Sequence, residues 1–243
     1  MKGRFKMMRI RQAIYVTALA MLFLPFSFAA AQLNSVPVTP LDKKTITSTI
    51  EAFTGNAKAL YYSFTHPGIE DKALVSSRIL DGFQAGPMRL TLKDGTTIYW
   101  GFRYKEATTR SVAIYGPDGR PRLLAAVDSV PGCSGWHCEP FTSIEAYEAY
   151  ASRTFLHPGI TLYVRDKRDL ETYLPYFTRW LHAKLLGFNV DCKDPKMADA
   201  CGFVTQTEWL EIIPTRAYLL PSMRPLELPK VKAADIPLEA FTQ

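Results

Sequence analysis

The 243-residue sequence contains none of the short signatures that announce common catalytic chemistries. There is no Gly-x-Ser-x-Gly elbow, because Gly132-Cys133-Ser134-Gly135 has the wrong spacing, and no His-Glu-x-x-His, Walker loop or Gly-x-Gly-x-x-Gly. Histidine occurs four times and cysteine four times. No dense Lys/Arg run is present; clusters such as Arg165-Asp166-Lys167-Arg168-Asp169 mix both signs, as a solvated helix entrance does. No Gly/Ser-rich linker divides the chain. These absences argue against a nucleotide-binding, zincin or serine-hydrolase site and against two separable domains. No cofactor is expected.

The strongest positive feature is at the start. Lys2, Arg4, Lys6, Arg9 and Arg11 precede an apolar run from Ala13 to Phe28, and Ala29-Ala30-Ala31 supplies the small residues that a signal peptidase requires. Residues 1–31 read as an export signal, with Gln32 opening the mature chain. An uncleaved membrane anchor is the alternative, since about 18–20 apolar residues suffice to span. Pro25 and the alanine triplet favour cleavage, so contact with a membrane is expected only if this segment is retained. The segment holds five of the 29 basic residues and none of the 23 acidic ones, which leaves 24 against 23, a net charge of +1. The pI near 9.1 therefore belongs largely to the signal and does not argue for a nucleic-acid partner.

Cysteine usage agrees with export. Cys133 and Cys138 form one close pair and Cys192 and Cys201 another, which in an oxidising compartment reads as two local disulfides. Loops this short gain about 2–3 kcal/mol each from cross-linking. A metal site from Cys133, His137 and Cys138 lacks the spacing of zinc ribbons, and a redox motif needs a shorter interval. Trp136, inside the first cysteine loop, reads as an exposed aromatic that makes a usable contact beside His137.

The chain writes His-Pro-Gly twice, in Phe64-Thr65-His66-Pro67-Gly68-Ile69 and Phe155-Leu156-His157-Pro158-Gly159-Ile160. Each Pro-Gly suits a type II turn, with glycine at positive φ and the histidine entering the turn. His66 and His157 remain candidate binding residues should the two turns meet in space. Glu139, Glu145 and Glu148 lie near an aromatic-rich region and read as solvated surface; Trp100 and Trp180 read as core.

Periodicity outlines the fold. Thr39-Pro40-Leu41-Asp42 opens a helix with Ile46, Ile50 and Phe53 on one face and Gly55 at its end. Ala57 to Phe64 is strand or helix end, and Glu70 to Leu80 leans toward helix. Met88, Leu90 and Leu92 alternate with polar residues, and Ile98, Trp100, Phe102 and Tyr104 alternate again. A three-residue loop, Lys93-Asp94-Gly95, pairs Leu90 with Ile98 and keeps both apolar sets on one face. A second hairpin turns at Gly116-Pro117-Asp118-Gly119, completing a four-stranded antiparallel meander from about Met88 to Val127. Thr142-Ser143-Ile144-Glu145 is a capping box, opening a helix with Ile144, Tyr147, Ala151 and Phe155 along one side. Ile160, Leu162 and Val164 mark another strand. Asp166 or Asp169 caps a helical stretch that Pro175 kinks or restarts and Gly187 ends.

The last 30 residues carry Pro214, Pro221, Pro225, Pro229 and Pro237, which disfavour any long helix or central strand, interspersed with apolar residues. This reads as an extended arm laid on an apolar surface, either its own domain or a protein partner. The expectation is an α+β fold, an antiparallel β-meander sheet packed by helices in a helix-on-sheet sandwich, with segments 1–31 (signal), 32–213 (one domain) and 214–243 (Pro-rich arm). By this reading the chain is an exported bacterial protein that acts by binding or assembly in the periplasm or outside the cell. The alternative is a secreted hydrolase whose carboxylate or histidine residues converge only in the fold.

Overall fold

In the computed structural model the chain is described over residues 43–62, 70–132, 140–153, 157–187 and 191–241. The N-terminal segment 1–31, His66, and Cys133, Trp136, His137 and Cys138 lie outside these residues. Helix α1 (Lys43–Thr54) buries Ile46, Ile50 and Phe53 along one face and stops at Gly55, whose φ of 57° suits glycine. Strand β1 (Lys58–Tyr62) pairs antiparallel with β2 (Glu70–Leu74). The segment expected to lean helical is thus divided, because Glu70–Leu74 completes a ladder with β1 and only Val75–Asp81 turns into α2.

The meander forms as the alternation requires: β3 (Ala85–Thr91), β4 (Thr97–Arg103), β5 (Glu106–Tyr115) and β6 (Pro121–Asp128) pair in sequence. Leu90 lies opposite Ile98, and Gly95, at φ 86°, bonds back to the Leu92 carbonyl across the Lys93-Asp94-Gly95 loop. At the second turn the Gly119 N–H donates to the Gly116 carbonyl at 2.9 Å, with Gly119 at φ 72°.

Helix α3 (Ile144–Arg153) begins one residue later than the capping-box reading, since the Ala146 N–H donates to Ser143 Oγ at 3.2 Å. Tyr147 and Ala151 are buried, but Ile144, the first residue of the helix, lies at its end and is 37 % exposed. Strand β7 (Gly159–Val164) then pairs with β6, and its first residue, Gly159, lies opposite Asp128. Among the described glycines positive φ occurs at Gly55, Gly86, Gly95, Gly119 and Gly187 and not at Gly159, so the second Pro-Gly leads directly into a strand rather than a type II turn.

Asp166 caps α4 (Lys167–Leu186), accepting from the Arg168 N–H at 2.9 Å, and Pro175 sits inside this single 20-residue helix. Two short helices, α5 (Ala198–Gln206) and α6 (Trp209–Ile212), lead to β8 (Thr215–Leu219), which runs parallel to β7 and antiparallel to β9 (Arg224–Leu226). The sheet order is β3-β4-β5-β6-β7-β8-β9, antiparallel except for β7 and β8. Helices α4 to α6 supply the crossover that a parallel pair needs. The proline spacing misled the sequence reading here: Thr215–Leu219 falls in the proline-free gap between Pro214 and Pro221, so it is bonded on both edges, while Pro225 lies on the outermost strand.

The sheet is covered on both faces. Val112, Ile114, Leu123, Ala125, Val127, Ile160, Leu162 and Val164 pack under α4 through Leu174, Phe177, Trp180, Leu181 and Leu185. The alternate residues Ala113, Tyr115, Leu124, Ala126 and Tyr163 pack against α1, β1 and α2. Three layers replace the expected two, which is why "VAIY", "LLAAV" and "ITLYV" read as unbroken apolar runs. The fold is α+β, with Trp100 and Trp180 in its core. Beyond β9 the chain returns over α4. The Ala234 N–H donates to the Pro175 carbonyl at 3.0 Å, and Ile236, Leu238 and Phe241 are buried in the same core as α4.

Candidate functional site

Helix α4 shows its apolar stripe to the sheet, but Thr178, Arg179 and His182 lie on a different flank. That flank faces an open cavity of about 440 Å³, lined also by Thr205 and Gln206 of α5, by Thr207 and Glu208, and by Val231 to Asp235 of the returning arm. A smaller cavity of about 80 Å³ adjoins it, sharing Thr178, Glu208 and Val231 and bounded on its apolar side by Trp209, Leu228 and Pro229. The disulfide Cys192–Cys201 ties the entry of α5 to the preceding turn, and the Trp209 indole N–H donates to the Val204 carbonyl at 2.8 Å, so the α5 wall is held at both ends.

At the floor is His182, 2 % exposed. Neither ring nitrogen has a hydrogen-bond partner among the described residues. Burial first, and the Arg179 guanidinium second, push its imidazole down to about 4, so the ring is neutral at neutral pH and carries one N–H and one lone pair. Buried polar atoms left without partners are uncommon in folded proteins and call for an explanation.

The other side chains complete a mixed polar lining. Thr178 Oγ1 donates to the Leu174 carbonyl at 3.0 Å, Thr205 Oγ1 to Cys201 at 2.6 Å and Thr207 Oγ1 to Phe203 at 2.7 Å. Each hydroxyl hydrogen is thereby committed to the helix, leaving the oxygens as acceptors. Arg179 donates to the Ile236 carbonyl, and burial lowers its pKa while Asp235 and Glu239 oppose that shift. Glu208 and Asp235 supply two carboxylates against the two cations Arg179 and Lys232, so the lining is balanced in charge. A guest there meets acceptors on several sides, a few donors, and an imidazole able to serve as either.

The residues singled out from the sequence lie elsewhere. His157 is exposed just before β7, and Glu145 and Glu148 are exposed on α3. Cys192 and Cys201 are bonded as expected. His66, Trp136, His137, Cys133, Cys138 and Glu139 lie outside the described residues. His182 escaped sequence reading because it stands within an amphipathic helix, between Trp180 and Leu185, where a histidine reads as core. Its position four residues after Thr178, on the flank away from Phe177 and Leu181, was the one available signal. Among the described residues no group of three His, Cys, Asp or Glu side chains is placed to hold a metal ion, and no helix is long and apolar enough to cross a membrane. No protein-family model, curated protein or solved structure matches the chain.

Proposed function

We propose that this chain is an exported binding protein that receives a small, polar molecule of no net charge in the cavity between α4, α5 and the C-terminal arm, and releases it unchanged. The observation that carries the reading is His182, a buried imidazole facing a cavity with both nitrogens unpartnered among the described residues. A guest carrying hydroxyl or amide groups satisfies that donor and acceptor and also reaches the threonine oxygens, whose hydrogens are already committed. The signal-like residues 1–31 and the Cys192–Cys201 disulfide support an oxidising compartment outside the cytoplasm. Packing of Ile236, Leu238 and Phe241 into the arm's own domain supports a role for the arm as a cavity wall over one as a docking strand for another protein.

The rival reading is a hydrolase, because His182 shares the cavity with Glu208 and Asp235. A general base works best with a pKa near the operating pH and with a partner that orients its ring. His182 has a pKa near 4, and no carboxylate is bonded to it among the described residues, which favours binding over catalysis.

The test is a thermal-shift series on the mature chain with monosaccharides, polyols and neutral amino acids, followed by mass spectrometry of the ligand. Expected is a saturable rise in Tm for one class, lost in His182→Phe, with the compound recovered intact. A guest at 100 times its Kd adds about 2.7 kcal/mol of stability. Recovery of a hydrolysed product replaces this reading with the hydrolase, and a flat response across the panel overturns it.

A further inference from the structure

The two cavities beside α4 differ in chemistry. The larger one carries the imidazole of His182, the threonine oxygens and four charged side chains. The smaller one, of about 80 Å³, is lined by Leu210, Leu228, Pro229 and Val231, all half-buried, and is backed by Trp209, which is fully buried. Edge-on contacts at 5.1 Å to Tyr147 and 5.6 Å to Phe203, between ring centres, hold the Trp209 ring, so it does not swing forward to fill the space.

The polar groups around the smaller cavity are committed elsewhere. The Trp209 indole N–H donates to the Val204 carbonyl at 2.8 Å, and Thr178 Oγ1 donates to the Leu174 carbonyl at 3.0 Å. Lys230 and Glu211 pair with each other at 3.1 Å, and with side chains 91 % and 61 % exposed they stand at the mouth, in water. A hydroxyl or amide of a guest placed among the four apolar side chains gives up water without a side-chain partner, whereas an alkyl group gains by leaving water. At roughly 30 Å³ for an atom the size of water, the space takes about three carbons. Thr178, Glu208 and Val231 line both cavities, so a single guest lying against these three residues reaches both. Glu208 is exposed and Val231 half-buried, so the boundary between the cavities opens to solvent and is not closed by core.

We propose that the smaller cavity is a specificity subsite, which takes a short aliphatic branch of about three carbons from the same guest whose polar part lies at His182. The inference rests on the reading of the larger cavity as a binding site. It narrows the guest to a neutral polar molecule bearing one such branch, in preference to unsubstituted sugars and polyols. Leu228 and Pro229 line the smaller cavity and not the larger, so they act on the branch and not on the polar part.

The experiment is isothermal titration calorimetry of the full mature chain with two homologous series: the straight-chain amino acids from glycine through alanine, 2-aminobutyrate and norvaline to norleucine, and the alkyl glucosides from methyl to pentyl. In the series that binds, Kd is expected to fall about four-fold with each carbon added, the worth of one buried methylene, and to level off beyond about three carbons. The heat-capacity change of binding is expected to grow more negative up to the same point. Leu228→Trp, which fills the smaller cavity, is expected to bring the ratio of Kd between the shortest member and the member with the best-fitting branch to about 1. Glu227→Ala, exposed and outside both cavities, keeps the wild-type ratio. Should Leu228→Trp fail to fold, the wild-type plateau in Kd and in heat capacity decides the matter. A Kd that is flat along a series that binds, that keeps falling with every carbon, or whose dependence on the branch survives in Leu228→Trp overturns the subsite and leaves the His182 reading standing. Absence of binding by both series overturns the subsite as well, and a flat response of the wider panel then removes the His182 reading with it.

Discussion

Arg78 of α2 and Asp128 at the end of β6 meet at 2.6 Å although 50 residues separate them in sequence. Their side chains are 6 % and 2 % exposed, and the guanidinium lies 5.9 Å from the Tyr61 ring centre. Breaking such a buried pair from one side strands a charge, whereas replacing both partners with apolar residues does not. Asp128→Ala is expected to lower stability by about 3–5 kcal/mol, and the double variant Arg78→Met, Asp128→Leu by much less. Urea unfolding of the single and double variants checks this; equal losses would show that the pair acts only through packing.

The same contact explains a glycine. Gly82 follows α2 with φ at an ordinary −76°, so its role is space and not conformational freedom. A Cβ there would lie 2.5 Å from the Ser111 nitrogen and 2.6 Å from the Arg110 carbonyl carbon. Backbone cannot yield as a side-chain tip does, so Gly82→Ala must lift α2 from β5 and stretch the Arg78 bonds to Ser111 and Arg110, both 3.2 Å long. Overpacking of this kind costs about 1–3 kcal/mol. Denaturant midpoints of Gly82→Ala measure it, and the Gly202→Ala control, where nothing lies within 4 Å of an added Cβ, is expected to be near neutral.

Local chemistry carried the sequence reading a long way. The pairing of Leu90 with Ile98 followed from the requirement that two apolar sets share a face, and the Gly116 to Gly119 turn and the Asp166 cap followed from backbone needs of adjacent residues. What escaped was set by distant partners. Nothing near Ala113 or Ala126 states that α1 and α2 cover that side, and nothing in the proline-rich tail states that Thr215–Leu219 enters the sheet beside β7. Arg110 stands in the polar first half of β5, where no local signal marks it as buried, yet it is 8 % exposed. His182 lacks a local motif because its cavity is built from segments after residue 200.

The returning arm ends in an anchor. Phe241 is fully buried, with its ring 5.5 Å from Trp100 in an edge-on arrangement, and its carbonyl accepts from Lys184. Phe241→Ala removes the ring and keeps the carbonyl, so the loss is expected at about 3–5 kcal/mol. If the arm is the wall of the His182 cavity, the same substitution also weakens guest binding, while an exposed arm residue that lines neither cavity, as in Glu227→Ala, changes neither. Thermal unfolding with and without the best guest from the panel separates the two effects.

Two depressed bases set the pH response. His182 titrates near 4 in the folded chain against an ordinary 6.5, so between these values the unfolded chain binds the extra proton. Stability therefore rises from about pH 4 to 6.5, and below pH 4, where both states carry the proton, this contribution is fully lost and no longer changes with pH. Lys184 titrates near 7 against an ordinary 10.5, which produces a second rise from about pH 7 toward 10.5 as the unfolded amine alone stays charged. The groups that face them act in the same direction, since Arg179 beside His182 and Arg110 beside Lys184 both oppose protonation. The full linkage for the His182 shift is about 3 kcal/mol at most. His182→Gln is expected to flatten the lower limb, and Lys184→Met the upper one, in urea midpoints measured from pH 4 to 10.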